Sequence, residues 1–246
     1  MTVRLTEGKR GRFLVLDNDV YVGRLLLRDG EYSDEEVQLF EKLVGSEDVV
    51  VEAGANLGAH TVPLARMAAR VLAFEPQTFV YRLLCGNLAL NGCHNVDAYP
   101  VGLGAENGEL LLPRLDYDEA FNFGGVPLRG DWTGMSREAG DRVGVFALDH
   151  LRLPGLRLLK ADVEGMEVAV LRGARETIAR YRPYLYLEDE EGGNQALHAL
   201  LRELGYRVVR HEPVLLSASD QLNPFPGATI VSRNVLGVPN ELPDPV

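Results

Sequence analysis

Apolar residues along this chain follow two periods. Short β-branched or leucine-rich runs at residues 49–51, 71–74, 96–101, 156–163, 184–187, 206–209 and 229–231 are bounded by turn or polar residues, which predicts buried strands. Between them, residues 59–69, 78–90, 167–179 and 195–204 carry apolar side chains three and four positions apart. Val168, Leu171, Ala174 and Ile178 share one face in this way, which predicts helices. Asn91-Gly92 and Gly205 supply stop signals, and Asn194 supplies a start. Upstream, Phe13-Leu14-Val15-Leu16 and residues 21–27 flank Asp17-Asn18-Asp19, which predicts a hairpin. Ser33-Asp34-Glu35-Glu36 has the spacing of a capping box ahead of a helix bearing Val37, Phe40 and Val44.

Both periods fail over residues 113–141, which hold Asp116, Tyr117, Phe121, Asn122, Phe123, Gly124, Gly125 and Trp132. A polar, aromatic, glycine-bearing insertion of this length predicts a substrate lid. Flanking it, residues 109–112 and 143–148 predict a pair of strands. The proline-rich stretch 217–226 predicts a second loop, and residues 239–246 a frayed tail.

Alternating strands and helices make the fold class α/β: a doubly wound, mostly parallel sheet with helices on both faces. The length fits one domain over residues 1–246, with residues 1–46 as an N-terminal hairpin and helix. In such sheets a ligand sits outside the carboxyl ends of the strands, where strand order reverses. Glu52, Glu75, Asp162 and Glu188 each follow an apolar run, so all four fall on that edge.

Composition narrows the partners. A formal net charge of −11 opposes a nucleic-acid backbone or an anionic membrane surface, since phosphate binding needs clustered Lys and Arg. Lysine occurs only at Lys9, Lys42 and Lys160. The two cysteines, Cys85 and Cys93, fit no zinc spacing, and the scattered histidines suggest no metal. No apolar stretch nears the ~20 residues of a membrane span, and Met1-Thr2-Val3-Arg4 lacks an apolar leader, so a cytoplasmic setting is expected. A small-molecule substrate is the expected partner; a homodimer is the alternative to a monomer.

The chemistry centres on the turn after residues 49–51. Gly54 and Gly58 permit a tight bend between strand and helix, and the helix start offers free N–H groups to a ligand. Two ligand classes suit such a turn, a dinucleotide and S-adenosylmethionine (SAM). The dinucleotide fingerprint G-x-G-x-x-G is broken where Asn56 stands for its second glycine. SAM carries no pyrophosphate and tolerates that change. Glu75, about 20 residues on, is placed to accept both ribose hydroxyls. Thr61, in the first helical turn, can offer a hydroxyl to the methionine carboxylate; His60 beside it is expected to pack rather than catalyse. A hydroxyl acceptor needs a proton acceptor, for which Asp162 is the first candidate, Glu164 the second and His211 a distant third. Lys160 can pair with one of these acids.

The segments Glu52-Ala-Gly-Ala-Asn-Leu-Gly58, Phe74-Glu-Pro76, Leu148-Asp149-x-Leu151, Lys160-Ala-Asp-Val-Glu-Gly-Met-Glu167 and Arg182-Pro183 with Glu188, taken in order, resemble the FkbM-type SAM-dependent methyltransferases. The resemblance runs over nearly the whole chain. It implies a Rossmann-like class I sheet with an antiparallel last strand, and SAM as cofactor, leaving S-adenosylhomocysteine. The cofactor would be held by Glu52, Gly54, Ala55, Asn56, Thr61, Glu75, Pro76 and Asp162, with Val101 and Gly102 beside the adenine. It further implies methylation of a hydroxyl on a sugar or secondary metabolite, with N-methylation of a peptide or small molecule as the alternative. Glu52 departs from the aspartate more usual in that family. A nicotinamide-dependent oxidoreductase and a non-catalytic SAM-binding protein are the remaining readings.

Overall fold

The computed structural model describes residues 2–126, 140–190, 192–219, 223, 227–243 and 245. Trp132 and the rest of 127–139 lie outside the described residues, as does part of the 217–226 loop.

The centre is a seven-stranded sheet. In chain order its strands are β3 (Val49–Ala53), β4 (Arg70–Phe74), β5 (Val96–Tyr99), β9 (Leu158–Ala161), β10 (Tyr184–Glu188), β11 (Tyr206–His211) and β14 (Asn234–Pro239). Their spatial order is β11-β14-β10-β9-β3-β4-β5. All neighbours pair parallel except β14, which runs antiparallel to both β10 and β11. Strand order reverses between β3 and β9, so the carboxyl ends of these two strands open the crevice.

Side chains alternating along β3 serve opposite faces. Val51 packs with Leu159, Leu171, Ile178 and Leu201 on one side, whereas Val50 packs with Phe40, Leu64 and Tyr186 on the other. The first layer comes from α5 (Glu167–Arg172), α6 (Arg175–Tyr181) and α7 (Gln195–Glu203); the second from α2 (Asp34–Leu43) and α3 (Thr61–Met67). A third cluster joins α4 (Thr78–Leu90) to β2 (Gly11–Leu16) through Phe13, Val15, Val80, Leu84 and Phe123.

The structure corrects several expectations. The hairpin pairs β1 (Val3–Gly8) with β2, and the segment expected as its second strand is helix α1 (Val22–Asp29). Asp19 accepts the Tyr21 N–H at 2.9 Å at the helix entrance, while Val22, Leu25 and Leu26 are buried at helical spacing. The capping box does not form: Ser33 makes no side-chain cap, and Glu36 turns inward, 2% exposed. The helix expected over 167–179 is two helices. A Cβ on Gly173 would meet Gly104 O at 2.0 Å, so the chain breaks there, and Asp149 caps α6 through the N–H groups of Glu176 and Thr177. Residues 230–231 form a side ribbon, β13 with β12 (Val214–Leu216), and the last sheet strand is β14. The tail is held as far as Leu242: Arg182 bonds Glu241 and the carbonyls of Leu204 and Gly205, and Arg207 bonds Leu242 O. The expected strand pair at the insertion is present as β7 (Gly108–Leu112) against β8 (Asp141–Phe146), with β6 (Gly102–Leu103) added to β8. Among the described residues no helix is long and apolar enough to cross a membrane.

Candidate functional site

The bend after β3 is shaped by backbone contacts. Gly54 (φ 78°) and Ala55 both donate to Phe74 O, and a Cβ on Gly54 would lie 1.8 Å from Asp162 O. Only glycine brings β3 and β9 this close while adopting that backbone. Asn56 follows at φ 51°, a conformation asparagine tolerates, and its N–H donates to Glu75 Oε2 at 2.9 Å.

Glu75 is 4% exposed and accepts a second backbone N–H, that of Gln77, at Oε1 (2.8 Å). Burial pushes its carboxyl up to about 7, against the pull of those two N–H groups. A carboxylate has about four acceptor sites, so both oxygens keep capacity for a ligand's hydroxyls.

Glu52 is placed differently. It borders the main cavity, but it is 1% exposed; Thr61 donates to its Oε2 at 2.6 Å and Lys160 Nζ lies 3.7 Å from its Oε1. Thr61 is fully buried, its hydroxyl engaged by Glu52. Lys160 also lies 3.5 Å from Asp162 Oδ2. Burial opposes its charge, but Asp162, Glu52 and Glu36 outweigh that and raise its pKa. It is thus a buried cation shared by carboxylates.

Above this floor stand Asp162, Glu164 and Glu188, with one oxygen of each within 4.8 Å of the others. Burial first, then Asp162 and Glu167, push Glu164 up to about 8. Burial, then Asp162 and Glu164, push Glu188 up to about 10. Glu164 also has φ 52°, an uncommon backbone conformation at a cleft. Glu167 accepts the Val163 N–H at 3.0 Å and so stabilises the loop that carries Glu164.

These groups line a cavity of about 360 Å³ together with Tyr32, His60 and the insertion residues Asn122, Gly124 and Gly125. Burial, and then Lys160, hold His60 well below the usual histidine range, and its ring packs against Phe40 and Tyr32. A slot of about 30 Å³ adjoins the cavity, bordered by Pro76, Gln77, Gly102, Leu103, Val126 and Val163. Gly102 therefore faces the slot, while Val101 packs against the core cluster. His211 lies on β11, with Nδ1 2.8 Å from the Tyr186 hydroxyl, and borders neither space.

The donor set fits SAM. Acceptors outnumber cations around the cavity, which suits a sulfonium and an ammonium, and the slot beside Glu75 is apolar on its Pro76, Leu103 and Val163 sides. Gln77, which borders the slot, and Tyr32, which borders the cavity, are contributions the strand-end reading misses. They come from positions whose direction only the fold decides.

Comparison with known proteins agrees with this architecture. The model of the methyltransferase FkbM domain matches residues 52–208. Methyltransferase sdnD of Sordaria araneosa is 31% identical over 201 residues, covering 67% of this chain and 76% of that protein. Among solved structures, the methyltransferase FkbM of Methylobacillus flagellatus KT superposes with a TM-score of 0.52 at 17% identity, over 78% of this chain and 43% of that one. TYW2 of M. jannaschii, solved in complex with AdoMet, gives 0.50 at 14% identity, over 96% and 84%. The family match covers more than half of the chain and spans the glycine bend, Glu75 and the three clustered acids; the chain belongs to the FkbM family of SAM-dependent methyltransferases.

Proposed function

We propose that this enzyme methylates a hydroxyl of a small molecule of the sugar or secondary-metabolite type. The observation that carries the reading is the trio Asp162, Glu164 and Glu188 lining the same cavity as Glu75. When bound, SAM supplies a methyl group on a positively charged sulfur. Every other task falls to the chain.

Glu75 takes the ribose hydroxyls. Pro76 and Gly102, which border the slot, would hold the base, with Val101 packed in the core behind them. Gly54, Ala55 and Asn56 present backbone to the methionine end. Asp162, next to Lys160 and the bend, accepts the ammonium; Glu52 and Thr61 act beneath it by fixing Lys160. Glu164 receives the acceptor's proton. A carboxyl pushed up to about 8 is a far better match to neutral operation than the 4.5 of a free glutamate. Holding the two reactants in line and excluding water supplies the rest.

The acid lining also supports N-methylation, because the same carboxylates attract a protonated amine. It disfavours nucleic acid as acceptor, since phosphates would be repelled. The test is transfer of labelled methyl from SAM to matched hydroxyl and amine acceptors. Labelling of hydroxyls is expected; labelling confined to amines selects the second reading. Thermal stabilisation by NAD but not by SAM would overturn both.

A further inference from the structure

Asn122 is held in place from both sides. Before it, the Phe121 N–H donates to Asn18 O at 3.2 Å and the Phe121 carbonyl accepts the Val20 N–H at 3.1 Å. Asn18 ties the same stretch down again, its side chain donating to Tyr117 O and Glu119 O. After it, Phe123 is 1% exposed and stacked on Tyr117 at 5.0 Å, and its carbonyl accepts Gln77 Nε2 at 2.7 Å. The Asn122 carbonyl closes a turn by accepting the Gly125 N–H at 3.2 Å. The side-chain amide that this bracing positions makes no hydrogen bond among the described residues, and it borders the main cavity. A half-buried amide fixed in a cleft without a partner asks for one.

The two glycines that follow show what the amide stands beside. A Cβ on Gly125 would collide with Asn122 Nδ2 and touch Glu164 Oε1 at 3.6 Å. A Cβ on Gly124 would lie 2.6 Å from Asn56 Nδ2 and 3.5 Å from Asn122 Oδ1. Asn122 and Glu164 therefore meet against one bare stretch of backbone, both lining the cavity. Glu164 is the group that receives the acceptor's proton, so the amide lies next to the oxygen that is methylated. An amide both donates and accepts hydrogen bonds. Its partner must do the same and carry no negative charge, because Asp162, Glu164 and Glu188 repel an anion there. On a hydroxylated molecule that partner is a second hydroxyl adjacent to the first.

We propose that Asn122 is a specificity-determining residue for the methyl acceptor and that the acceptor class is a vicinal diol. One oxygen gives its proton to Glu164 and takes the methyl group; its neighbour is held by the Asn122 amide and stays unmethylated. The inference rests on the hydroxyl reading above and narrows it to a pair of adjacent oxygens.

Transfer of labelled methyl from SAM by the full chain to cis-1,2-cyclohexanediol, cyclohexanol and cyclohexylamine tests this. The wild-type protein is expected to methylate the diol once, with a kcat/KM per hydroxyl at least about tenfold above that of cyclohexanol, the scale of one hydrogen bond in a desolvated site. In Asn122→Leu, which removes both polar atoms and keeps much of the shape, the ratio falls towards one while S-adenosylhomocysteine affinity by calorimetry holds. Gly125→Ala, whose methyl displaces the amide without removing it, lowers the ratio as well. Equal rates per hydroxyl in the wild-type protein overturn the proposal, and that comparison needs no variant. A ratio kept in Asn122→Leu also overturns it. So does a matching loss of S-adenosylhomocysteine affinity, which would assign the amide to the cofactor. Absence of label in the diol overturns it too; label in cyclohexylamine alone refutes the hydroxyl reading along with it.

Discussion

Glu75 and Glu52 each end an apolar strand, yet their surroundings differ. Glu75 meets two backbone N–H groups and the mouth of the slot; Glu52 meets Thr61 and Lys160 beneath the floor. Glu75→Gln replaces an ionisable acceptor by an amide whose N–H₂ opposes a backbone N–H. S-adenosylhomocysteine is expected to bind at least about tenfold more weakly to it by calorimetry, the scale of a charge-assisted hydrogen bond. Unchanged affinity would remove Glu75 from the nucleoside site. Glu164 carries a kinetic prediction. With its carboxyl near 8, methyl transfer to a hydroxyl rises with pH through that region and levels off above it. In Glu164→Gln the rise disappears and the rate drops by about two orders of magnitude or more; a variant that keeps the wild-type profile excludes this role. The acids themselves were legible in the sequence because they follow apolar runs. Which of them face ligand was not legible, since that depends on how Thr61, Lys160 and Glu36 converge from separate elements.

The elements were legible where periodicity and punctuation agree. β3, β4, α4, β10 and α7 lie where their apolar patterns put them. Misreadings fall where one local signal stands against a tertiary one. Residues 21–27 look like a strand by apolar content, but Asp19 accepts the Tyr21 N–H at the entrance of a helix there. The run over 167–179 looks continuous, but the Gly104 backbone crosses at Gly173. Two motif residues have structural roles at this scale, Asp149 as the cap of α6 and Arg182 as the brace of the tail. Asp149→Ala is expected to cost about 1 kcal/mol in urea denaturation, the usual loss for a helix cap, with cofactor affinity unchanged. Gly54→Ala is a harsher change, because its Cβ would occupy the space of Asp162 O at a positive φ. It should destabilise the chain by at least about 2 kcal/mol and weaken cofactor binding as well. A variant as stable as the wild type would contradict the contact between β3 and β9.

Across the whole molecule, negative charge gathers at one end of the sheet. Glu75, Glu164 and Glu188 titrate at about 7, 8 and 10 in the folded chain, above the 4.5 of a free glutamate. From about pH 4.5 up to about 10 the folded state therefore holds more protons than the unfolded one at these positions. Stability contributed by these groups is fully present below about pH 4.5 and is lost progressively as pH rises through 7, 8 and 10. The melting temperature of the unliganded protein should fall from pH 5 to pH 8, with a shallower fall in Glu188→Gln; an identical slope in the variant would show that the cluster does not govern it. A cationic ligand offsets the repulsion, so SAM should stabilise the protein more at pH 8 than at pH 6.

The central claim is that the glycine bend and Glu75 seat a sulfonium nucleoside with its sulfur facing the three acids. A crystal structure with S-adenosylhomocysteine tests this most directly. The account predicts both ribose hydroxyls on Glu75, the base against Pro76 and Gly102, and the sulfur open towards Asp162 and Glu164. A nucleoside bound away from the bend, or ribose hydroxyls held by other residues while Glu75 stays closed on Asn56 and Gln77, would contradict it.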